Sequence, residues 1–103
     1  MVNEVDPTYT NLVNAADLEA RQTRDAEHCD GWSRALELHA RRLERMSGLY
    51  SDDSWQRRLI LQRADGCRSN AREWARRAQA LRQDAALHGA RRETIEQQLR
   101  GAK

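Results

Sequence analysis

Alanine recurs at every seventh position through the C-terminal half of the chain, as Ala64, Ala71, Ala78 and Ala85. A second seven-residue series, Ile60, Cys67, Trp74, Leu81, His88 and Ile95, lies between and beyond them. Together they step by four and three, the 3.5-residue period that holds one stripe of a helix against one neighbour and coils the pair left-handed. A strand, with period two, cannot bury this pattern on one face. Small side chains at every seventh residue let two backbones approach closely, as antiparallel helix pairs do. Arg92 and Leu99 extend the count. A helix unbroken from 54 to 99 measures about 69 Å.

The rest of the chain reads as further helix. Asp6-Pro7 is a start signal, with Asp to accept the free amides and Pro where no N–H is needed. Tyr9, Val13, Ala16, Ala20 and Thr23 then follow at helical spacing, predicting a helix over 7–28 that Asp30-Gly31 ends or sharply bends. Trp32, Leu36, His39, Leu43, Met46 and Tyr50 predict a second helix over 32–47, stopped at Gly48. Ser51, Asp52, Asp53 and Ser54 supply caps for the long helix, predicted over 54–87 with a looser extension at 90–99 after Gly89. Gly66 lies inside that helix, but the alanine series stays in phase across it. Residues 1–5 read as a frayed tail.

Composition supports this reading. Ala, Glu, Lys, Leu and Arg make up 52 of 103 residues, a proportion typical of long helices and coiled coils. Leu, Ile, Val and Phe number only 16, but the net charge is only +2, so the periodic pattern decides for order over disorder. The expectation is one all-α domain over 1–103, an antiparallel bundle or coiled-coil hairpin with a long C-terminal helix. No apolar run spans a membrane, and the opening residues do not read as a secretory leader. The size and layout resemble those of small secreted helical hairpins with a Trp-x-Gly turn, but this turn reads Ser47-Gly48-Leu49-Tyr50, so no kinship follows.

Charge is unevenly spread. Residues 1–53 carry −5 and residues 54–103 carry +7. The simplest consequence is that the acidic half packs on the basic half, with Asp17 and Glu19 beside an Arg-lined groove. The sharper one is that part of the basic half faces an acidic partner or phosphates. Arg63, Arg68, Arg77, Arg82 and Arg91 flank the long helix's stripe and would repel in a symmetric pairing of two such helices. A homodimer is then left to the Trp32–Tyr50 face or to the end of the long helix.

Few residues suggest chemistry. Of the soft ligand types His28, Cys29, His39, Cys67 and His88, only the first two are close, and neighbours on a helix point about 100° apart. No metal or cofactor is expected. Cys67 lies on the stripe, so packing explains it better than nucleophilic catalysis, and a Cys29–Cys67 bridge is left open. No phosphate-binding, hydrolase or metalloprotease motif occurs, and Asp52-Asp53 are accounted for as caps. Trp32 and Trp74 read as core. Trp55 either wedges under Leu49-Tyr50 or serves as a binding anchor beside Arg57 and Arg58.

The function expected is a small non-enzymatic module that binds another protein in the cytoplasm: a bacterial or phage-type regulator, inhibitor or adaptor. Its contact residues would be Trp55, Arg58, Arg72, Arg76, Leu81 and Ile95, the last two on an apolar strip with Ala85 and Leu99 that the shorter helices fail to cover. The alternative is nucleic-acid binding through the arginines of residues 55–82, eight against Asp65 and Glu73.

Overall fold

The computed structural model describes residues 7–101. The chain is an all-α helical hairpin of two helices, α1 (Pro7–Ser47) and α2 (Trp55–Gly101), with no strand among the described residues. Two compact units make it up. Unit 1 joins the chain up to Ala26 with the chain from Gln79 onward, and unit 2 spans Glu27–Ala78. The Asp6 cap lies outside the described residues; Pro7 opens α1, where its missing N–H costs nothing.

Asp30-Gly31 does not end a helix, and neither Gly66 nor Gly89 interrupts α2, so the predicted divisions at 28–32 and 87–90 are corrected to two unbroken helices. None of these glycines adopts positive φ. A helical glycine costs about 1 kcal/mol relative to alanine. Stopping the helix would cost more, because the covered stripe continues in phase beyond each glycine. That stripe on α1 is Leu12, Ala15, Glu19, Gln22, Ala26, Cys29, Ser33, Leu36, Ala40, Leu43 and Ser47, all buried or half-buried at alternating steps of three and four.

The phase predicted for α1 is therefore also corrected. Val13, Ala20, Trp32, His39 and Met46 are exposed, and only Leu36 and Leu43 belong to the covered stripe of their helix. The covered stripe puts small residues, Ala26, Ser33, Ala40 and Ser47, at one seven-residue series. On α2 the predicted stripe holds: Ala64, Ala71 and Ala78 are at most 1% exposed, and Ala85 is buried. Close approach selects small side chains, and the bulkier ones are displaced to the flanks.

In unit 2, contacts rise along α1 as they fall along α2, which makes the pair antiparallel. Trp32 meets Trp74, Ser33 meets Ala71, and Glu44 meets Arg68. Ser33 Oγ donates to the Ala71 carbonyl oxygen at 2.8 Å, a bond from a short side chain to the opposite backbone that only near-touching helices allow. The register places Ala40 opposite Ala64 in the same way. Arg68 also reaches Glu37 at 3.8 Å.

Unit 1 is built differently. Its α1 stripe carries Glu19 and Gln22, and its α2 stripe carries His88 and Arg92. Arg92 Nε donates to Glu19 Oε2 at 2.8 Å, and its Nη1 donates to Glu96 Oε1 at 3.1 Å. These two carboxylates hold the guanidinium well above its ordinary pKa. Gly89 is buried opposite Glu19; a Cβ there would lie 3.0 Å from Glu19 Oε1. The glycine thus makes the notch in which the glutamate lies. The Gln22 side-chain oxygen is buried with no hydrogen-bond partner among the described residues.

Candidate interaction surface

The turn between the helices is short and firmly closed. At the end of α1, Gly48 N, Leu49 N and Tyr50 N donate to the carbonyls of Arg45, Met46 and Ser47 at 3.0–3.2 Å, while Ser47 Oγ donates to Glu44 O at 2.6 Å. A Cβ at Gly48 would come within 3.3 Å of Arg45 O, so glycine suits this tight winding without any left-handed φ. Of the four candidate caps, Ser54 caps α2: its Oγ accepts from Arg57 N at 3.1 Å. Asp52 instead pairs with Arg57 at 2.5 Å.

Large apolar side chains at this end of unit 2 face outward. Trp55 is 64% exposed and Leu49 82%, so Trp55 does not wedge under the turn. Met46, Tyr50 and Leu59 are exposed too. All five fall within fourteen consecutive residues, and Trp55 and Leu59 share one face a helical turn apart. Arg45 and Arg58 stand among them, exposed and without an ion pair among the described residues. Isolated exposed leucines are ordinary on a protein surface, whereas five large apolar groups at one end of a unit are the kind of patch that marks an interaction site.

Of the six contact residues expected, Trp55 and Arg58 belong to this end. Arg72 is exposed on α2, and Arg76 is exposed and pairs with Glu73 at 2.6 Å. That bond, more than the charge of Arg76 alone, lowers the Glu73 carboxyl below its ordinary 4.5. Leu81 and Ile95 are corrected: they lie in unit 1, on the covered stripe, with Ile95 buried and Leu81 half-buried. The open strip of Leu81, Ala85, Ile95 and Leu99 does not exist, because unbroken α1 supplies unit 1 with its own covering segment. Met46, Leu49, Tyr50 and Leu59 were missing from the expected surface. Their sequence signal is a pair of large apolar residues, Leu49-Tyr50, set in a turn of Ser, Gly and Asp.

The basic stretch of 55–82 is largely engaged within the molecule. Arg57, Arg68 and Arg76 form ion pairs, and Arg77 lies over the Trp74 ring at 4.8 Å. Trp74 stacks on Trp32 with ring centroids 6.3 Å apart; Trp74 is half-buried, whereas Trp32 is 59% exposed and is not core. Among the described residues Arg58, Arg63 and Arg72 make no ion pair, and Asp65 sits midway along the helix column joining Arg58 to Arg72. Over the described residues unit 2 carries +3 and unit 1 is neutral, so folding back cancels most of the −5/+7 asymmetry along the chain.

Cys29 and Cys67 are free thiols. Among the described residues no three His, Cys, Asp or Glu side chains are grouped as a metal site. No helix there is long and apolar enough to cross a membrane. No protein-family model, curated protein or solved structure matches the chain.

Proposed function

We propose that the protein is a non-enzymatic helical module that binds another protein through the turn end of unit 2. The observation that carries this reading is the outward exposure of Trp55 and Leu49, joined by Met46, Tyr50 and Leu59, while the stripes between the helices are covered. An aromatic anchor with arginine beside it is the usual centre of a binding surface. Arg45 and Arg58, at its edge and without an ion pair among the described residues, suit a partner pocket rimmed by carboxylates. A regulator, inhibitor or adaptor of bacterial or phage type, working in the cytoplasm, is the class such a module fits.

The test is retention of a captured partner by the immobilised full chain. Leu49→Asp or Trp55→Ala should cut retention at least tenfold, with helical circular dichroism unchanged. Retention undiminished in both variants would remove the turn end as the binding surface. Nucleic-acid binding is the second reading, and it rests on Arg58, Arg63 and Arg72. Three phosphate contacts give a salt slope of about −3, too shallow for tight binding at physiological salt. A much steeper slope on a DNA duplex, flattened by Arg58→Ala with Arg72→Ala, would favour that reading instead.

A further inference from the structure

Residues 7–16 hold no charged side chain, in a chain of which 33% is charged. They open α1 in unit 1, and within them Tyr9 is 55% and Val13 63% exposed. A shallow depression lined by Tyr9, Thr10, Val13 and Asn14 lies there. Val13, Ala16, Ala20 and Thr23 each follow directly on a covered residue: Leu12, Ala15, Glu19 and Gln22. With Tyr9 they form a second stripe with the same four-and-three step, about 100° round the helix. The two stripes are matched the wrong way for a helix with one neighbour. The covered one contains a glutamate and a glutamine, whereas the second, with Tyr9, Val13, Ala20 and Thr23 exposed and Ala16 half-buried, holds only Tyr, Val, Ala and Thr. A helix that turns its less polar stripe outward is short of a second neighbour.

We propose that this neighbour is the same stripe of a second copy, packed antiparallel about a two-fold axis passing between Asn14 and Ala15. That axis sets Tyr9 on Ala20 of the second copy and Val13 on Ala16, so each large side chain meets a small one and none meets its own kind. The self-match follows from the spacing, since both pairs are centred on the same point. The charges agree. The nearest ones on the outer side, Asp17 and Arg21, neutralise each other at 2.9 Å within the helix, leaving no net charge for an acidic or basic partner to answer. An isologous contact requires such a patch. Only two of its side chains, Tyr9 and Val13, are large, so the contact falls well short of the roughly 800 Å² per partner in a standard stable complex and the dimer is weak and reversible.

Sedimentation equilibrium of the full chain, from low micromolar to near-millimolar concentration, tests this. The mass should climb from 11.9 kDa towards twice that value. Val13→Glu should weaken association at least tenfold with helical content intact. Ala20→Glu changes an exposed alanine, so it provides the same test should Val13→Glu fail to fold. Trp55→Ala, at the turn end, should leave association unchanged; this separates the dimer from the surface assigned to the partner protein. A monomer at every concentration would overturn the proposal, as would a dimer that survives both glutamate variants or one that Trp55→Ala dissolves.

Discussion

The two units solve one problem, closing a helix pair with few large apolar residues, in opposite ways. Unit 2 brings its backbones together over Ser33, Ala40, Ala64 and Ala71, and moves Trp32 and Trp74 to the side, where they stack. Unit 1 keeps a charged layer, Glu19 with Arg92, and clears room for it with Gly89. Close packing gains dispersion contacts over the whole length but tolerates no added volume. A charged layer gains little net energy, yet it penalises every register that leaves an ion unpaired. Unit 2 is thus held mainly by fit, with its interhelix ion pairs of Arg68 to Glu37 and Glu44 set beside the small-residue stripe, whereas unit 1 carries its ion pair within the covered stripe itself.

Added volume should expose the difference most strongly. Ala71→Leu is expected to cost about 2–3 kcal/mol, since a buried alanine beside a 2.8 Å interhelix bond leaves no room for three more carbons. The loss reads out as a fall of roughly 10 °C or more in the thermal midpoint followed by circular dichroism. Ala85→Leu, in unit 1, should cost less than half as much, because the α1 stripe of that unit carries the flexible side chains of Glu19 and Gln22. Equal losses would mean that the helices lie equally close in both units.

The glycines sharpen the same contrast at about 1 kcal/mol. Nothing lies within 4 Å of a Cβ added at Gly31 or Gly66, so Gly31→Ala and Gly66→Ala should each stabilise by about 0.5–1 kcal/mol in urea unfolding. Gly89→Ala should forfeit that gain, because Glu19, tethered by Arg92, must move aside. If Gly89→Ala stabilises as much as Gly66→Ala, the charged layer is not fixed. Removing the cap by Ser54→Ala should cost about 1 kcal/mol, and removing the interhelix bond by Ser33→Ala about 0.5–1.5 kcal/mol, both by the same measurement.

The smallest effect concerns Glu73. Its carboxyl titrates below the ordinary 4.5 because Arg76 hydrogen-bonds to it. Its contribution to stability is therefore present above about pH 4.5 and fades as acid protonates it through the lowered value. On an open surface the contribution is slight. Glu73→Gln should leave the neutral-pH midpoint almost unmoved and remove only a shallow slope below pH 4.5. A loss at neutral pH as large as that of Ser54→Ala would show that the pair holds more than itself.

Ala64, Ala71, Ala78 and Ala85 made α2 and its buried stripe legible, because their spacing admits one phase only. The N-terminal helix was harder to read. Tyr9-Val13-Ala16-Ala20 looks like a core stripe, and by apolarity it is the better of two candidates. The covered one includes Glu19 and Gln22, and no local rule prefers those. The choice is made by the opposing helix: its small residues require small partners, and Arg92 requires Glu19. Trp55 and Arg58 were recognisable as surface candidates from their place at a helix start. Leu81 and Ile95 were misplaced because a break at Asp30-Gly31 shortens the first helix and leaves the end of the second uncovered.

The order of residues determined by itself that this chain is helical, that its second helix carries a seven-residue stripe, and that one turn lies between Ser47 and Ser54. Period and capping are local properties, readable within a few turns. Only the tertiary structure decided which face of α1 is covered, that the helices continue through Gly31 and Gly89, and that Trp55 and Leu49 point outward. Those outcomes depend on how near a second helix can come, and that distance is set jointly by side chains far apart in sequence.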